Sequence, residues 1–393
     1  MSQKLISLSP DLKQLRDEGY EIEVKNSAYA FVHNVPYVNA NREIKYGMLV
    51  SELTLSGDIT VNPLGQHVIH FVGEHPCDIH GSIIEGIRHQ SVNQELVDGV
   101  TISHSFSNRP PNGYANYYDK FVQYIKIISA PAQALDPSVT AQTFRPIESD
   151  DSSVFQYYDT NASRANIVSI SNKLEGQKIA IVGLGGTGAY ILDFVAKTPV
   201  AEIHLFDGDE FLSHNAFRSP GAASKQVLRE RRNKAAHYHS VYSNMHKGIR
   251  FYPEFLTDSN IETILIADFV FVSIDVGSEK RLIIETLLEH KKPFIDVGIG
   301  VHIVAGSLMG QIRVTAGNEH KRDHLYDRIS FGTGGDDPYS TNIQIAELNA
   351  MNAALAVIRW KKAFGFYNNH SLEFNTIYST YTGDLLNEDC HEE

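Results

Sequence analysis

"KIAIVGLGGTGAYILDFVAK" (residues 178–197) joins a short apolar run, a cluster of glycines and an apolar-periodic segment. The run Ile179–Val182 shows no polar alternation, which reads as a strand covered on both faces. Gly183, Gly185, Gly186 and Gly188 stand between that strand and a helix, "GAYILDFVAK". Glycines let the backbone approach a phosphate, and the free N–H groups of the following helix point at it. The next apolar run, "EIHLF", ends at Asp207, where a dinucleotide-binding fold places an acid against the ribose hydroxyls. Tight helix–strand packing alone would explain the glycines but not the acid. The loop and Asp207 together fit NAD, FAD or ATP.

Outward from this stretch, strands and helices alternate. "DFVFVSI" (268–274) reads as a third strand, "SEKRLIIETLLEHK" as a helix and "PFIDVGI" (293–299) as the next strand. Such alternation implies a mostly parallel sheet with helices on both faces, an α/β, Rossmann-like domain. "VHIVAGSLMGQIRVT" reads as two further strands around a glycine-marked turn, forming an antiparallel edge. "NIQIAELNAMNAALAVIRWKK" (342–362) reads as a long closing helix, and "SLEFNTIYSTYTG" adds a last strand. A polar seam, "ESDDSSVFQYYDTNASRA" (148–165), precedes all of this. It divides the chain into a smaller α+β domain (1–148), a linker (149–165) and the α/β domain (166–393). In the first, "PDLKQLRDEGY" reads as a helix and "YGMLVSELTL" and "HVIHFVG" as strands. The aromatic stretch 112–129 fits strand or helix. No internal repeat is visible.

Bulk properties narrow the function. A chain of 393 residues exceeds one ordinary core, so two domains are expected. A formal net charge of −13 argues against nucleic acid as a general partner. No apolar run reaches membrane-spanning length, and the N-terminus has no signal-type apolar core. Cys77 and Cys390 are the only cysteines, which points to a reducing cytoplasm and against a disulfide framework.

"FDGDEFLSHNAFR" (206–218) asks for more than a ribose. A hydride-transfer enzyme needs one acid there and nothing else. This loop continues through Asp209 to Asn215 and Arg218, and Lys234 follows in "RERRNKAAH". An amide, a guanidinium and an ammonium suit the phosphates of a nucleoside triphosphate. Asp275, in "SIDVGSEKR" after the third strand, suits Mg²⁺, which takes one or two protein oxygens and keeps most of its waters. Together these groups favour ATP with Mg²⁺ over a dinucleotide.

"GLGGTG", "DGDEFLSHNAFR", Lys234 and the aspartate of "SIDVGSEKR" resemble the ThiF/MoeB/ubiquitin-activating-enzyme superfamily of adenylyltransferases, over roughly residues 160–360. The resemblance implies nucleotide binding by the four glycines with Asp207, Asp209 and Asn215, Asp207 taking the ribose. It implies that Asn215, Arg218 and Lys234 surround the phosphates and that Asp275 lies near the metal and the α-phosphate. Homodimers of the superfamily lend an arginine to the partner's ATP; Arg164 is placed for that role, or is a surface arginine. "VPYVN", "GEHPCDIHG" and "SFSNRPPNGYANYYDKFVQYI" look like the domain that precedes a ThiF-type domain in certain bacterial proteins encoded near multi-ubiquitin-like proteins. The function implied is ATP-dependent adenylation of the C-terminal carboxylate of a ubiquitin-like protein ending in Gly, with release of pyrophosphate.

The sequence departs from that pattern in its cysteines. It has no paired Cys-x-x-Cys ligands, and the loop "ISFGTGGDDPYSTN" (329–342) has no catalytic cysteine. Adenylation itself needs none, because the carboxylate attacks the α-phosphate directly. Gly332, Gly334 and Gly335 suit a segment crossing over a peptide tail, or a solvated connection. His67, His70, His75, Cys77 and His80 resemble a metal cluster only in composition. Cys77 reads as a buried small hydrophobe or, alternatively, an acyl carrier; Cys390 lies in the acidic tail. The closing helix is apolar on several faces, which fits homodimerisation or burial within one chain. An NAD-dependent Rossmann oxidoreductase would leave Asn215, Arg218, Lys234 and Asp275 without a task. A non-catalytic nucleotide-binding module finds its support in the cysteine-free loop.

Overall fold

A computed structural model of the chain describes residues 2–61, 65–97, 99–146, 153–275, 277–331 and 343–392. The chain forms two compact units, Met1–Ser153 with Tyr157–Asn166, and Val154–Gln156 with Ile167–Glu393. No helix among the described residues is long and apolar enough to cross a membrane.

The first unit is an antiparallel six-stranded sheet with helices. Its strands are β1 (Ile22–Lys25), β2 (Tyr29–Val38), β3 (Ile44–Glu52), β4 (Val68–Val72), β5 (Arg88–Val97) and β6 (Val100–Ser107), in the order β1-β2-β3-β4-β6-β5. The sequence reading placed no strand over β2, which contains Pro36. The pairing explains how Pro36 is tolerated: β1 covers only Tyr29–Val32, so Pro36 lies beyond that partner and before the bridge from Val38 to Cys77. Asn34, at φ 55°, marks the irregularity between Val32 and Val35. The undecided aromatic stretch contributes helix α1 (Tyr117–Leu135). Asn116 caps it by accepting from the Asp119 N–H at 2.8 Å, and Tyr117, Phe121, Tyr124 and Ile128 are buried along one face at helical spacing.

The second unit carries an eight-stranded sheet. Its strands are β7 (Lys178–Val182), β8 (Glu202–Phe206), β9 (Ile249–Tyr252), β10 (Phe269–Val272), β11 (Phe294–Val304), β12 (Ser307–Gly317), β13 (Asn375–Ser379) and β14 (Leu385–Glu388). The order is β9-β8-β7-β10-β11-β12-β13-β14, parallel from β9 to β11 and antiparallel beyond. "PFIDVGI" and "VHIV", read as separate strands, are one strand, β11, whose turn comes only at Ala305–Gly306. The antiparallel portion is therefore broader than an edge: β13 and β14 extend it past β12. Helices α2 (Gly186–Val195), α3 (Lys234–Tyr242), α4 (Gly277–Glu289) and α5 (Ala346–Ala363) complete the unit.

The apolar run of β7 is continuous because both of its faces are covered. Ile179 and Ile181 join the layer of Leu192, Phe271 and Trp360, whereas Ala180 and Val182 join Phe206, Val272, Ile284 and Leu287. Burying each large aliphatic side chain contributes on the order of 1.5–3 kcal/mol. The chain runs from β7 out to β8 and β9, then returns to the other side of β7 as β10. That reversal opens a crevice at the carboxyl ends of β7 and β10, where open α/β sheets bind ligands.

Candidate active site

The glycine loop leaves β7 through Gly183, at φ 85°, a left-handed conformation that a side chain disfavours. A Cβ at Gly188 would lie 1.9 Å from the Gly183 carbonyl oxygen, so α2 packs against the loop only because that position has no side chain. No side chain caps the amino end of α2, and its first N–H groups remain for a ligand.

The loop opens on a cavity of about 290 Å³. Gly183, Gly185 and Gly186 line it, together with Asp207, Asp209, Arg218, Lys234 and Asp275. Gly188 and Asn215 are not among its lining residues. Asp207 is buried; its carboxylate accepts the Leu184 N–H at 2.6 Å and the Asp209 N–H at 2.8 Å, tying the glycine loop to the loop after β8. Burial pushes the Asp207 carboxyl above its ordinary pKa, with Lys234 pulling the other way.

Lys234 is buried at the start of α3. Its Nζ donates to Asp209 Oδ2 at 2.7 Å and lies 3.7 Å from Asp207 Oδ1. Asn233 places it: the side-chain oxygen accepts the Ala236 N–H at 3.1 Å, and Nδ2 donates to the carbonyls of Asp207 and Asp209. Asn215 sits in the single turn Ser213–Ala216, where Oδ1 accepts the Leu212 N–H at 2.9 Å. Its Nδ2 and the Arg218 Nε are buried with no hydrogen-bond partner among the described residues. Unmet donors, one of them on a half-buried guanidinium, fit an anion that would complete them. Asp275, just past β10, is exposed.

Several lining residues escaped the sequence reading. Glu254, Phe255 and Glu279 also face the cavity. Phe255 lies 2.6 Å from where a Gly208 Cβ would stand, so the glycine between the two aspartates was the available signal. Asn349 of α5 is fully buried; it accepts from Thr187 Oγ1 at 2.8 Å and donates to the Arg218 carbonyl at 3.4 Å. Asn352 donates to the Gly298 carbonyl at 3.0 Å. Two asparagines inside an apolar helix were the clue. Leu348, Ala353, Ala356 and Trp360 of α5 are also buried within this chain, whereas Ile358 is 40% exposed.

Arg164 ends the short helix Thr160–Arg164 of the first unit, is exposed, and is not among the cavity's lining residues. Gly332, Gly334 and Gly335 lie outside the described residues. Cys77 is 1% exposed, its thiol donates to the His75 carbonyl at 3.3 Å, and burial pushes its pKa up. Those are the properties of a packed thiol and the opposite of an acyl carrier's. Among the described residues no three His, Cys, Asp or Glu side chains converge so as to hold a metal ion.

Among curated proteins, none matches this chain. Similar solved structures include E. coli MccB with MccA-N7isoASN (17% identity, 59% of this chain and 72% of that chain, TM-score 0.46). PaaA is similar at 16% identity over 72% of this chain and 91% of that chain (TM-score 0.45). E. coli MccB with ATP is similar at 17% identity over 58% and 69% (TM-score 0.43). A domain of unknown function, DUF6791, matches residues 10–160. The ThiF family matches residues 158–382, more than half of the sequence and the whole of the cavity described above, and the chain belongs to that family.

Proposed function

We propose that this chain adenylates the C-terminal carboxylate of a ubiquitin-like protein ending in Gly, using ATP and Mg²⁺ and releasing pyrophosphate. Family membership supports the coarser part, an ATP-dependent adenylyltransferase acting on a carboxylate of a peptide or protein. One observation carries the reading: Arg218 and Lys234 meet Asp275 and the glycine loop in a single cavity. A nicotinamide cofactor presents only a pyrophosphate to this cavity, which leaves Asp275 and a second cation less to do than a triphosphate with Mg²⁺ does.

The walls also speak for a divalent cation. Asp207, Asp209, Glu254, Asp275 and Glu279 oppose only Arg218 and Lys234 among the charged lining residues. A triphosphate entering an acid-rich cavity needs further positive charge. Mg²⁺ suits the carboxylates because it binds through one or two of them plus phosphate oxygens, without an all-protein cage. Asp275 would hold it. ATP, when bound, supplies the α-phosphorus that the substrate carboxylate attacks. Arg218, Lys234 and the N–H groups of α2 take the phosphate charge, Asp207 and Asp209 hold the nucleoside side, and Asn215, behind the cavity wall, holds the turn that leads to Arg218. Positioning and charge neutralisation then provide most of the rate.

We further propose a cytoplasmic homodimer, with Arg164 reaching the partner's nucleotide. Ile303 (69% exposed) and Leu308 (52%), paired across β11 and β12, form an apolar patch suited to contact with another protein. Light scattering of the wild type and of Ile303→Lys checks it, a strict wild-type monomer being the refuting result. For the main proposal, ATP–pyrophosphate exchange should appear only with a ubiquitin-like protein ending in Gly, and Asp275→Ala should abolish it while the fold survives. ATP with Mg²⁺ should raise the Tm and NAD should not. Stabilisation by NAD, or ATP binding without exchange, returns the protein to an oxidoreductase or to a non-catalytic module respectively.

A further inference from the structure

The second unit holds another cavity, of about 220 Å³, lined by residues at the amino ends of β10 and β11. This is the end of the sheet away from the glycine loop. Phe269, Phe294, Trp360 and Phe364 form its apolar walls. Arg359 enters it from α5 and is only 7% exposed. Two arms of that guanidinium are occupied: Nη1 donates to the Val314 carbonyl at 3.0 Å and Nη2 donates to Thr376 Oγ1. Nε has no hydrogen-bond partner among the described residues, and neither has the buried Oδ1 of Asn369, another lining residue. Native proteins seldom leave two buried polar atoms unpaired around one apolar cavity. Water answers the need poorly, because it requires several polar partners and these walls offer few.

The charge of the cavity is positive. Glu373 lines it too, but the Lys362 ammonium already holds that carboxylate at 2.7 Å. Two cations therefore face one anion. Burial pulls the Arg359 guanidinium down to about 10, which leaves it protonated at neutral pH.

We infer that this cavity binds a small apolar monocarboxylate, with the carboxylate accepting from Arg359 Nε and the hydrocarbon lying against Phe269, Phe294 and Trp360. A half-turn of the Asn369 amide exchanges Oδ1 for Nδ2 and gives the second carboxylate oxygen a donor. At about 220 Å³ and walled by Phe269, Phe294 and Trp360, the cavity suits a single ring with a short acid arm.

Trp360 is the only tryptophan of the chain, so its fluorescence reports this cavity directly. Titration of the full chain with phenylacetate should give a saturable change, and phenylacetamide should bind about tenfold more weakly or worse, because it lacks the charge that Arg359 answers. Ala363→Phe, which fills the rim and breaks no side-chain hydrogen bond, should remove the saturable change while the Tm stays close to wild type. Arg359→Met should remove the preference for the acid over the amide. Three results would overturn the inference: no saturable change at millimolar phenylacetate, equal binding of acid and amide, or undiminished binding in Ala363→Phe.

Discussion

Lys234 and Lys280 each pair with an aspartate in the second unit, in opposite surroundings. Lys234 Nζ lies 2.7 Å from Asp209, whose side chain keeps 57% of its surface in solvent at the cavity wall. Lys280 Nζ lies 3.2 Å from Asp296, with the two side chains 6% and 0% exposed, and Arg313 holds the other Asp296 oxygen. The sealed cluster joins α4 to β11 and β12. Its charges are removed from water, so each depends wholly on the others. Lys234 shares an aspartate that water also solvates. It can exchange that partner for a phosphate without stranding a buried charge, which makes the open pair available for function and the sealed one structural.

The sharpest way to break this comparison is Asp296→Ala. It leaves Lys280 as a buried cation and Arg313 as a half-buried one without their anion and should cost about 3–5 kcal/mol in denaturant unfolding. A loss below about 1 kcal/mol would mean that the burial is not what distinguishes the two pairs. Next, Lys234→Ala and Arg218→Ala should each lower pyrophosphate exchange about 100-fold, the scale for removing one charge-stabilising donor. Unfolding of Lys234→Ala should shift far less than that of Asp296→Ala; equal losses would place both lysines in the structural class. The smallest effect is expected at Glu210, paired with Arg231 at 2.6 Å where both side chains are about half exposed. Glu210→Ala should change stability by about 0.5 kcal/mol or less and leave exchange near wild type. A larger change would show that this pair fixes the nucleotide loop.

The pair at the cavity wall was legible because its signals are local. Asp207 and Asp209 follow a buried strand, and Lys234 follows an asparagine that caps its helix. The sealed cluster carried no such signal. Asp296 sits in "PFIDVGI" as a lone acid in an apolar strand, and its partners come from α4 and from β12, across the hairpin. The reading of β11 as two strands failed for a related reason. Gly298 and Gly300 resemble turn residues in sequence, but pairing with β12 runs unbroken past both. In the first unit the sequence reading missed β2, and the sheet order shows how Pro36, which has no N–H to donate, fits there: it lies beyond the stretch that β1 covers.

By itself the sequence determined the elements whose causes lie within a few residues. These are the β7–glycine loop–α2 unit, the acid after β8, the order of Asn215, Arg218, Lys234 and Asp275 along the chain, and the family they mark. Tertiary structure alone decided that Asn349, 162 residues from Thr187, braces the glycine-loop helix, and that Arg359 and Trp360 share a cavity with Phe269 and Phe294. It also decided that Cys77 is packed and not displayed. The physical reason is that backbone conformation and capping are settled by neighbours in sequence. Burial, desolvation and hydrogen-bond satisfaction depend on every chain segment that arrives at the same place.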